Sequence, residues 1–519
     1  VGIRVRADVG HSVPAPDRVG GVLLLYEDPL VKDAATVREH VDAFARHSRF
    51  AWFPVNLVFG FPPGLAGYDF AATVFHYSIR PTYRTLNEEW RRYLTASAGY
   101  RVAIFQDEIW HFRERERFLT DFRIDCLYSR HKPAHVRDVY GPHLPVRDYV
   151  HYLAGYVSNE LIERAGKLAK PCAARPIDVG YRGRRLPFYF GRGGQEKGEI
   201  AERFATLTTG RGLRLDVASG EGDRLYGADW DRFLADCKAM LGVEGGVSVV
   251  DPTGRFRDLY ERLLKENPAL TYAEFESAAG PEFQRLEDRI DYRSLTPRHF
   301  ESAAFRNLQI LYEGRYDDIL RPWDHYVPLR KDFSNLDEVL AVLANPARAI
   351  AITDRAYADL IASGKYSYAG FVRSFDDRLA ASAQLGTVPD NVDSALRAYL
   401  ADWNRFRSRA HDFERLVTNA SAAGVRARWS AAKARQLLSH YQRTVVDRRR
   451  PGDPTACDRA FWRQVERHLG RPVPARAEFD PDAGAPVVEE RSASAARLAR
   501  AYWDLAVRAG RRLTGRAAC

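Results

Sequence analysis

The chain has 519 residues, 45% hydrophobic and 28% charged, which excludes a disordered or collagen-like chain and suits a globular protein of about two to four domains. Its net charge of +10 favours anionic partners such as phosphates, nucleic acid or an acidic membrane surface, without choosing among them. No apolar run is long enough to cross a bilayer, the basic amino terminus lacks the apolar centre of a signal peptide, and five scattered cysteines (Cys126, Cys172, Cys237, Cys457, Cys519) without C-x-x-C spacing argue against a disulfide framework and a zinc site and for a reducing cytoplasm.

After an N-terminal segment (1–20), strands and helices alternate through a first unit, 21–160. Val22–Leu25 reads as a buried strand ending at Tyr26-Glu27-Asp28-Pro29. Ala35–His47 reads as a helix, because Val37, Val41 and Phe44 recur three or four apart. Further strands are expected at Phe50–Leu57, at Phe70–Phe75 (ending at His76), at Arg101–Phe105 (ending at Gln106-Asp107-Glu108) and at Ile124–Tyr128 (ending at Ser129-Arg130-His131). Such alternation implies a parallel, doubly wound sheet with helices on both faces, and ligands then bind beyond the carboxyl ends of the strands. Glu27, Asp28, His76, Asp107, Glu108 and Arg130 collect there.

Residues 159–176 read as the crossing into a second alternating unit, 161–378. Its first strand, from Ile177, runs into Gly183-Arg184. A glycine-rich loop, GRGGQEKGE, carries Arg192 and Lys197 and opens a helix at Glu199–Thr206. Leu213–Ala218 reads as a strand, Trp230–Met240 as a helix and Val247–Val250 as a short strand. A helix beginning at Pro297, where its missing N–H costs nothing, carries Glu301 and leads into a buried strand, Leu308–Tyr312, that ends at Glu313-Gly314. Tyr326–Leu343 closes the unit, with Ser334 or Asn335 as a helix cap. The remainder, 379–519, is a basic helical extension. Leu396, Tyr399, Leu400, Trp403, Phe406, Phe413 and Leu416 share one helical face. Helices are also expected at 429–446 and 461–469, a linker at 471–490, and an arginine-rich amphipathic helix at 493–513.

The segments LGVEGG, with Glu244, and PRHFESAAFRNLQILYEG, with Glu301, resemble the carboxyl-terminal half of retaining GT-B glycosyltransferases of the "group 1" type. In that family a Glu-x7-Glu motif places one Glu in a loop after a strand and the second on the next helix. Strict spacing from Glu301 falls on Arg293. An insertion at about 247–292 therefore splits the motif, giving Glu244 the first role and Glu301 the second.

The resemblance implies two Rossmann-like domains and hexosyl transfer from a UDP- or GDP-linked sugar to a glycan, lipid-linked or small-molecule acceptor, in the cytoplasm or at the inner membrane face. Neither cofactor nor metal is implied, because Arg, Lys and helix amino termini carry the diphosphate. Polysaccharide biosynthesis fits such chemistry. Arg184, Arg192 and Lys197 resemble the family's Gly-Arg…Lys-Gly pattern and would meet the diphosphate, with glycine N–H groups cradling phosphate. Glu301 would hold the ribose. His76, Asp107 and Glu244 are the candidate catalytic residues: His76 as a neutral imidazole toward the donor sugar or acceptor, Asp107 orienting the acceptor, and Glu244 beside the donor sugar, with its two following glycines allowing close backbone approach. Asp107 and Glu108, adjacent on an extended chain, point opposite ways and do not form a pair. Arg184 and Arg192 read equally as residues of a flexible surface loop, and Glu301 as a helix-surface carboxylate beside Arg298 or Arg306.

Two other readings stand beside this one. LDVASGEG (Leu215–Gly222) looks like the first motif of an S-adenosylmethionine methyltransferase, which also needs an acidic residue at the end of the next strand. Alternatively, a scaffold without catalysis acts through its basic helical tail, at a membrane surface or on a partner. Nucleic acid is not expected, since the tail's arginines and aromatics have helical spacing.

Overall fold

Strand β1 (Asp17–Tyr26) shows why the first sheet is covered on both faces. Leu23 and Leu25 enter one apolar cluster while Val22 and Leu24 enter the other, and all four are fully buried. Alternate side chains of a strand point to opposite faces, so an unbroken apolar run demands a cover on each. The protein, seen in a computed structural model that describes residues 16–28, 36–80, 82–141 and 144–421, meets this demand twice.

In the first unit β1 is followed by β2 (Trp52–Asn56), β3 (Tyr68–Phe75), β4 (Tyr100–Ile104), β5 (Cys126–Ser129) and β6 (Asp148–His151). They form one sheet in the order β2-β1-β3-β4-β5-β6, with every pair parallel. Helices α1 (Thr36–His47), α2 (Glu88–Ala96), α3 (Phe112–Asp121) and α4 (Val136–Tyr140) connect them. Helix α5 (Asn159–Leu168) leads into the second unit.

There β7 (Ile177–Arg182), α6 (Arg192–Leu207), β8 (Leu215–Ala218), α7 (Ala228–Asp236) and β9 (Cys237–Gly242) are followed by a helical pair, α8 (Arg255–Glu266) and α9 (Tyr272–Leu286). Helix α10 (Pro297–Ala304), β10 (Leu308–Tyr312), β11 (Val327–Leu329), α11 (Leu336–Leu343) and α12 (Pro346–Tyr357) complete the unit. The second sheet runs β11-β10-β9-β7-β8, again all parallel.

The chain then returns. Helix α13 (Tyr368–Ser382) packs Phe371, Phe375 and Leu379 onto the first sheet beside Phe44 and Trp52 of the first unit. Each phenylalanine buried this way is worth about 1.5–3 kcal/mol. Helix α14 (Asp390–Ser421) adds Leu396 and Leu400 to the opposite face. Two parallel sheets, six- and five-stranded and each flanked by helices, give an α/β fold of two doubly wound units. The strand ends of the two units touch: Arg130 and Asp317, both buried, approach to 3.5 Å, and the Glu108 backbone N–H donates to Tyr292 Oη at 2.8 Å.

Several local expectations change. The glycine-rich segment is helix from Arg192 onward, because its glycines serve close packing: a Cβ at Gly193 would lie 3.0 Å from the Arg293 guanidinium. Trp230–Met240 is a helix only as far as Asp236 and then the central strand β9. Val247–Val250 is not a strand, since its valines turn inward individually at the root of the insertion. Asn335 is the N-cap residue of α11, but its side chain bonds Arg330 N and Pro328 O. The methyltransferase reading meets a topological obstacle. LDVA is the edge strand β8, whose single neighbour is β7, so the next strand does not pair with it. No helix among the described residues is long and apolar enough to cross a membrane. The helices and linker expected beyond residue 421 lie outside the described residues, as does most of the 1–20 segment.

Candidate functional site

Strand β7 ends at Arg182, and its exit loop turns at Gly183, where a Cβ would meet Tyr181 and the Lys197 carbonyl at 2.5–2.6 Å. That close approach sets Arg184, which is exposed, beside the second turn of α6. Lys197 on α6 donates from Nζ to Gly246 O at 2.8 Å. Burial first, and then the Arg184 guanidinium, push its ammonium down to about 8; Arg298 acts in the same direction and Asp107 in the opposite one. Arg298 sits in the first turn of α10, donates to the Arg182 carbonyl and places its guanidinium 5.1 Å over the Trp230 ring. Three cations, Arg184 from the loop after β7, Lys197 from α6 and Arg298 from α10, thus lie near one another beyond the end of β7. Like charges at short range repel one another unless an anion lies among them.

Glu301 lies on the same helix three residues after Arg298, which puts both on one face. Its Oε2 accepts from Trp230 Nε1 at 2.9 Å. Burial raises its pKa above the ordinary carboxylate range, while the Trp230 bond and Arg298 act against that rise. No ion pair joins Arg298 to Glu301 among the described residues.

Glu244 follows β9 and is 9% exposed. Its Oε1 accepts from the backbone N–H groups of Arg315 (3.0 Å) and Tyr316 (2.8 Å). These open a turn in which Tyr316, Asp317 and Asp318 are all left-handed, with φ of 47°, 55° and 57°. Such a run costs about 1–2 kcal/mol per residue, and Glu244 braces it. The glycines after Glu244 make room for the chain's own return: a Cβ at Gly245 would lie 2.4 Å from Thr296 Cγ2, and one at Gly246 (φ +78°) 1.9 Å from Tyr292 O. They are therefore not held open for a sugar. Arg293, at the strict motif position, is paired with Glu196 and Asp288.

Arg192 does not join the cation cluster. Its guanidinium forms a two-pronged pair with Glu276 of α9 at 3.0 and 3.2 Å. The amino terminus of α6, expected to cradle phosphate, is capped from within: Arg192 N donates to Glu287 Oε1 (3.0 Å) and Gly193 N to Ser248 Oγ (2.8 Å). The insertion supplies all three partners.

His76 is 1% exposed at the end of β3. Ser78 N donates to its Nδ1 at 3.1 Å, so the ring proton sits on Nε2, which lies 2.9 Å from His40 Nδ1. Both His76 nitrogens are committed inside the protein, and no lone pair or N–H is left for a substrate. Asp107 is exposed, with φ of +51°, and lies close enough to Lys197 to perturb it. Glu108 is buried and accepts from Ser129, Tyr140 and the Arg130 backbone; the left-handed backbone at Asp107, not an extended chain, separates the two carboxylates. The structure thus gathers Asp107, Arg184, Lys197 and Glu301, with Arg298 and Trp230 added. His76, Glu244 and Arg192 are each held by partners of their own outside that group. Arg298 was readable in the sequence, one helical turn before Glu301; Trp230 was not, because nothing local ties it to α10.

The chain is similar to several solved structures at low identity. An alpha-glucosyltransferase in complex with UDP and a 13-mer DNA gives a TM-score of 0.41 at 10% identity, covering 71% of this chain and 100% of that one. HepE of Anabaena in complex with UDP gives 0.40 at 9%, covering 70% and 100%. TarM gives 0.32 at 8%, covering 60% and 54%, so this chain spans about half the length of TarM. No protein-family model matches the sequence, and no curated protein matches it.

Proposed function

We propose that the protein is a glycosyltransferase that moves a hexosyl group from a nucleoside-diphosphate sugar to a glycan, lipid-linked or small-molecule acceptor, with retention at the anomeric carbon. The observation that carries this reading is the convergence of Arg184, Lys197 and Arg298 beside Glu301. Breaking the bond between sugar and diphosphate places negative charge on the departing phosphate. Fixed cations stabilise that charge most where water is partly excluded. Glu301 offers a carboxylate to the two ribose hydroxyls, and Asp107, across from Lys197, orients the acceptor hydroxyl. Glu244 contributes by bracing the turn after β10.

The test is a thermal-shift panel with UDP, GDP, TDP and S-adenosylhomocysteine on wild type and Glu301→Ala. A ligand that binds the folded state alone raises the melting temperature with the logarithm of its saturation. One nucleoside diphosphate is expected to stabilise wild type and to fail with Glu301→Ala. Stabilisation by S-adenosylhomocysteine alone, or by nothing, would overturn the reading.

A further inference from the structure

Arg298 and Glu301 stand one turn apart on α10, a spacing at which opposite charges normally pair, and here they do not. Trp230 stands between them. Its indole N–H donates to Glu301 Oε2 at 2.9 Å, and its ring face takes the Arg298 guanidinium at 5.1 Å. The indole suits both tasks. It is a donor only and carries no charge, so it fixes a carboxylate without neutralising it. Its π face attracts a cation without consuming the guanidinium N–H groups. The terminal torsion of a glutamate is otherwise broad, so the N–H at Oε2 restricts the carboxylate plane, and Oε1 takes no hydrogen bond among the described residues.

We propose that Trp230 is a positioning residue that partitions the nucleotide site, keeping the Glu301 carboxylate for the ribose diol and Arg298 for the diphosphate. The proposal depends on the glycosyltransferase reading above. Without the indole N–H, nothing fixes the Glu301 carboxylate toward the ribose, while a ring face alone still holds the Arg298 guanidinium.

The experiment compares Trp230→Phe with wild type in binding UDP, GDP, their 2′-deoxy counterparts and inorganic pyrophosphate. Phenylalanine keeps a ring face for Arg298 and removes the N–H. Wild type is expected to prefer the ribonucleotide by roughly 10-fold or more, the usual worth of a hydrogen bond to a charged group. Trp230→Phe should bring that preference to within about 3-fold while leaving pyrophosphate affinity unchanged. Equal weakening of ribo- and deoxyribonucleotide would mean a merely structural role and would overturn the proposal, as would an unchanged preference. If wild type binds no nucleotide, the glycosyltransferase reading fails as well, and the two failures are told apart by wild type alone. Trp230 is half-buried; should the variant not fold, the indole N–H resonance of wild-type Trp230 serves instead. It must move with UDP or GDP and stay still with pyrophosphate, and the reverse sinks the idea.

Discussion

Gly245 and Ser294 exchange both backbone hydrogen bonds, Gly245 N to Ser294 O at 2.7 Å and Ser294 N to Gly245 O at 3.3 Å. This bridge closes the insertion at its root. Excising Gly245–Arg293 would join Glu244 to Ser294-Leu-Thr-Pro-Arg-His-Phe300, seven residues ahead of Glu301, which is the Glu-x7-Glu spacing. The bridge thus brings the two flanks of the expected split motif together at residues 245 and 294. Beyond the bridge, Asp288 N donates to Ser248 O at 2.7 Å, and α8 and α9 build a small core of their own from Phe256, Phe275, Ala279 and Phe283 with Val249.

A helical pair closed at its base, with a core of its own, meets the rest of the chain through Phe188, Tyr189 and the Arg192–Glu276 pair, and its removal tests how much that contact contributes. Replacing residues 252–285 by a short Gly-Ser linker keeps Ser248 and Glu287, the caps of α6. The melting temperature is expected to fall by about 2–4 °C, the equivalent of roughly 1 kcal/mol at this domain size, with the nucleotide-induced shift preserved. Calorimetry with and without UDP or GDP measures both. Loss of the cooperative transition would show that the pair is part of the main core.

The two glutamates of the motif separate by readout. Glu244→Ala strips the acceptor from two backbone N–H groups, that of Tyr316 buried and that of Arg315 partly so, at a left-handed turn, and should cost about 2–3 kcal/mol in denaturant unfolding. Glu244→Gln, which keeps an acceptor oxygen, should cost less than half of that. Glu301→Ala should cost less than Glu244→Ala, since it removes one side-chain hydrogen bond, from Trp230 Nε1, at a partly buried position, and should abolish the nucleotide response. A large stability loss at Glu301 with an intact response would reverse the assignment.

Local pattern and tertiary demand explain what the chain disclosed on reading. Val22–Leu25 and Leu308–Tyr312 were legible because a strand covered on both faces needs an unbroken apolar run. Pro297 announced α10. The glycines at 191–198 misled, since glycine marks close approach as readily as a loop; only Arg293 and Ser248, distant in sequence, show which applies. Cys237–Gly242 hid as a strand because α7 runs straight into it with no turn residue between. His76 looked available at a strand end, and His40, on another element, is what closes it off. Trp230 reaches Glu301 across α7 and α10, a relation no local spacing expresses.

Lys197 gives the candidate site a pH signature. Its ammonium, held down to about 8 by burial and by Arg184, binds a diphosphate only while protonated. Nucleotide affinity should therefore fall as pH rises through about 8, well below where an ordinary lysine titrates. Lys197→Arg, whose guanidinium stays charged, should flatten the profile above pH 8. Titration calorimetry with UDP or GDP between pH 7 and 9.5 checks this. Identical profiles for the two proteins would remove Lys197 from the diphosphate contact.

The His40–His76 pair predicts acid sensitivity. Burial lowers His40 to about 3 and, together with His40, holds His76 well below the ordinary imidazole range. The unfolded chain takes up protons near pH 6.5 that the folded pair refuses, so the unfolded state binds more protons below that pH and stability falls as pH drops. The contribution is whole above about pH 6.5 and diminishes toward the folded values, by about 2 kcal/mol per ring at pH 5. Burial raises the pKa of Glu108 and Glu244, so these carboxylates act in the opposite sense between the ordinary carboxylate range and their raised folded values and offset part of the loss; comparison with a variant lacking both rings isolates the imidazole contribution. Urea unfolding at pH 7, 6 and 5 should show a steep loss for wild type. A His40→Phe/His76→Leu double variant, removing both rings so that neither is left unpaired, should show a shallower one. Parallel slopes would mean that the pair accepts protons in the folded state and that His76 is open to solvent after all, restoring it as a candidate for contact with substrate.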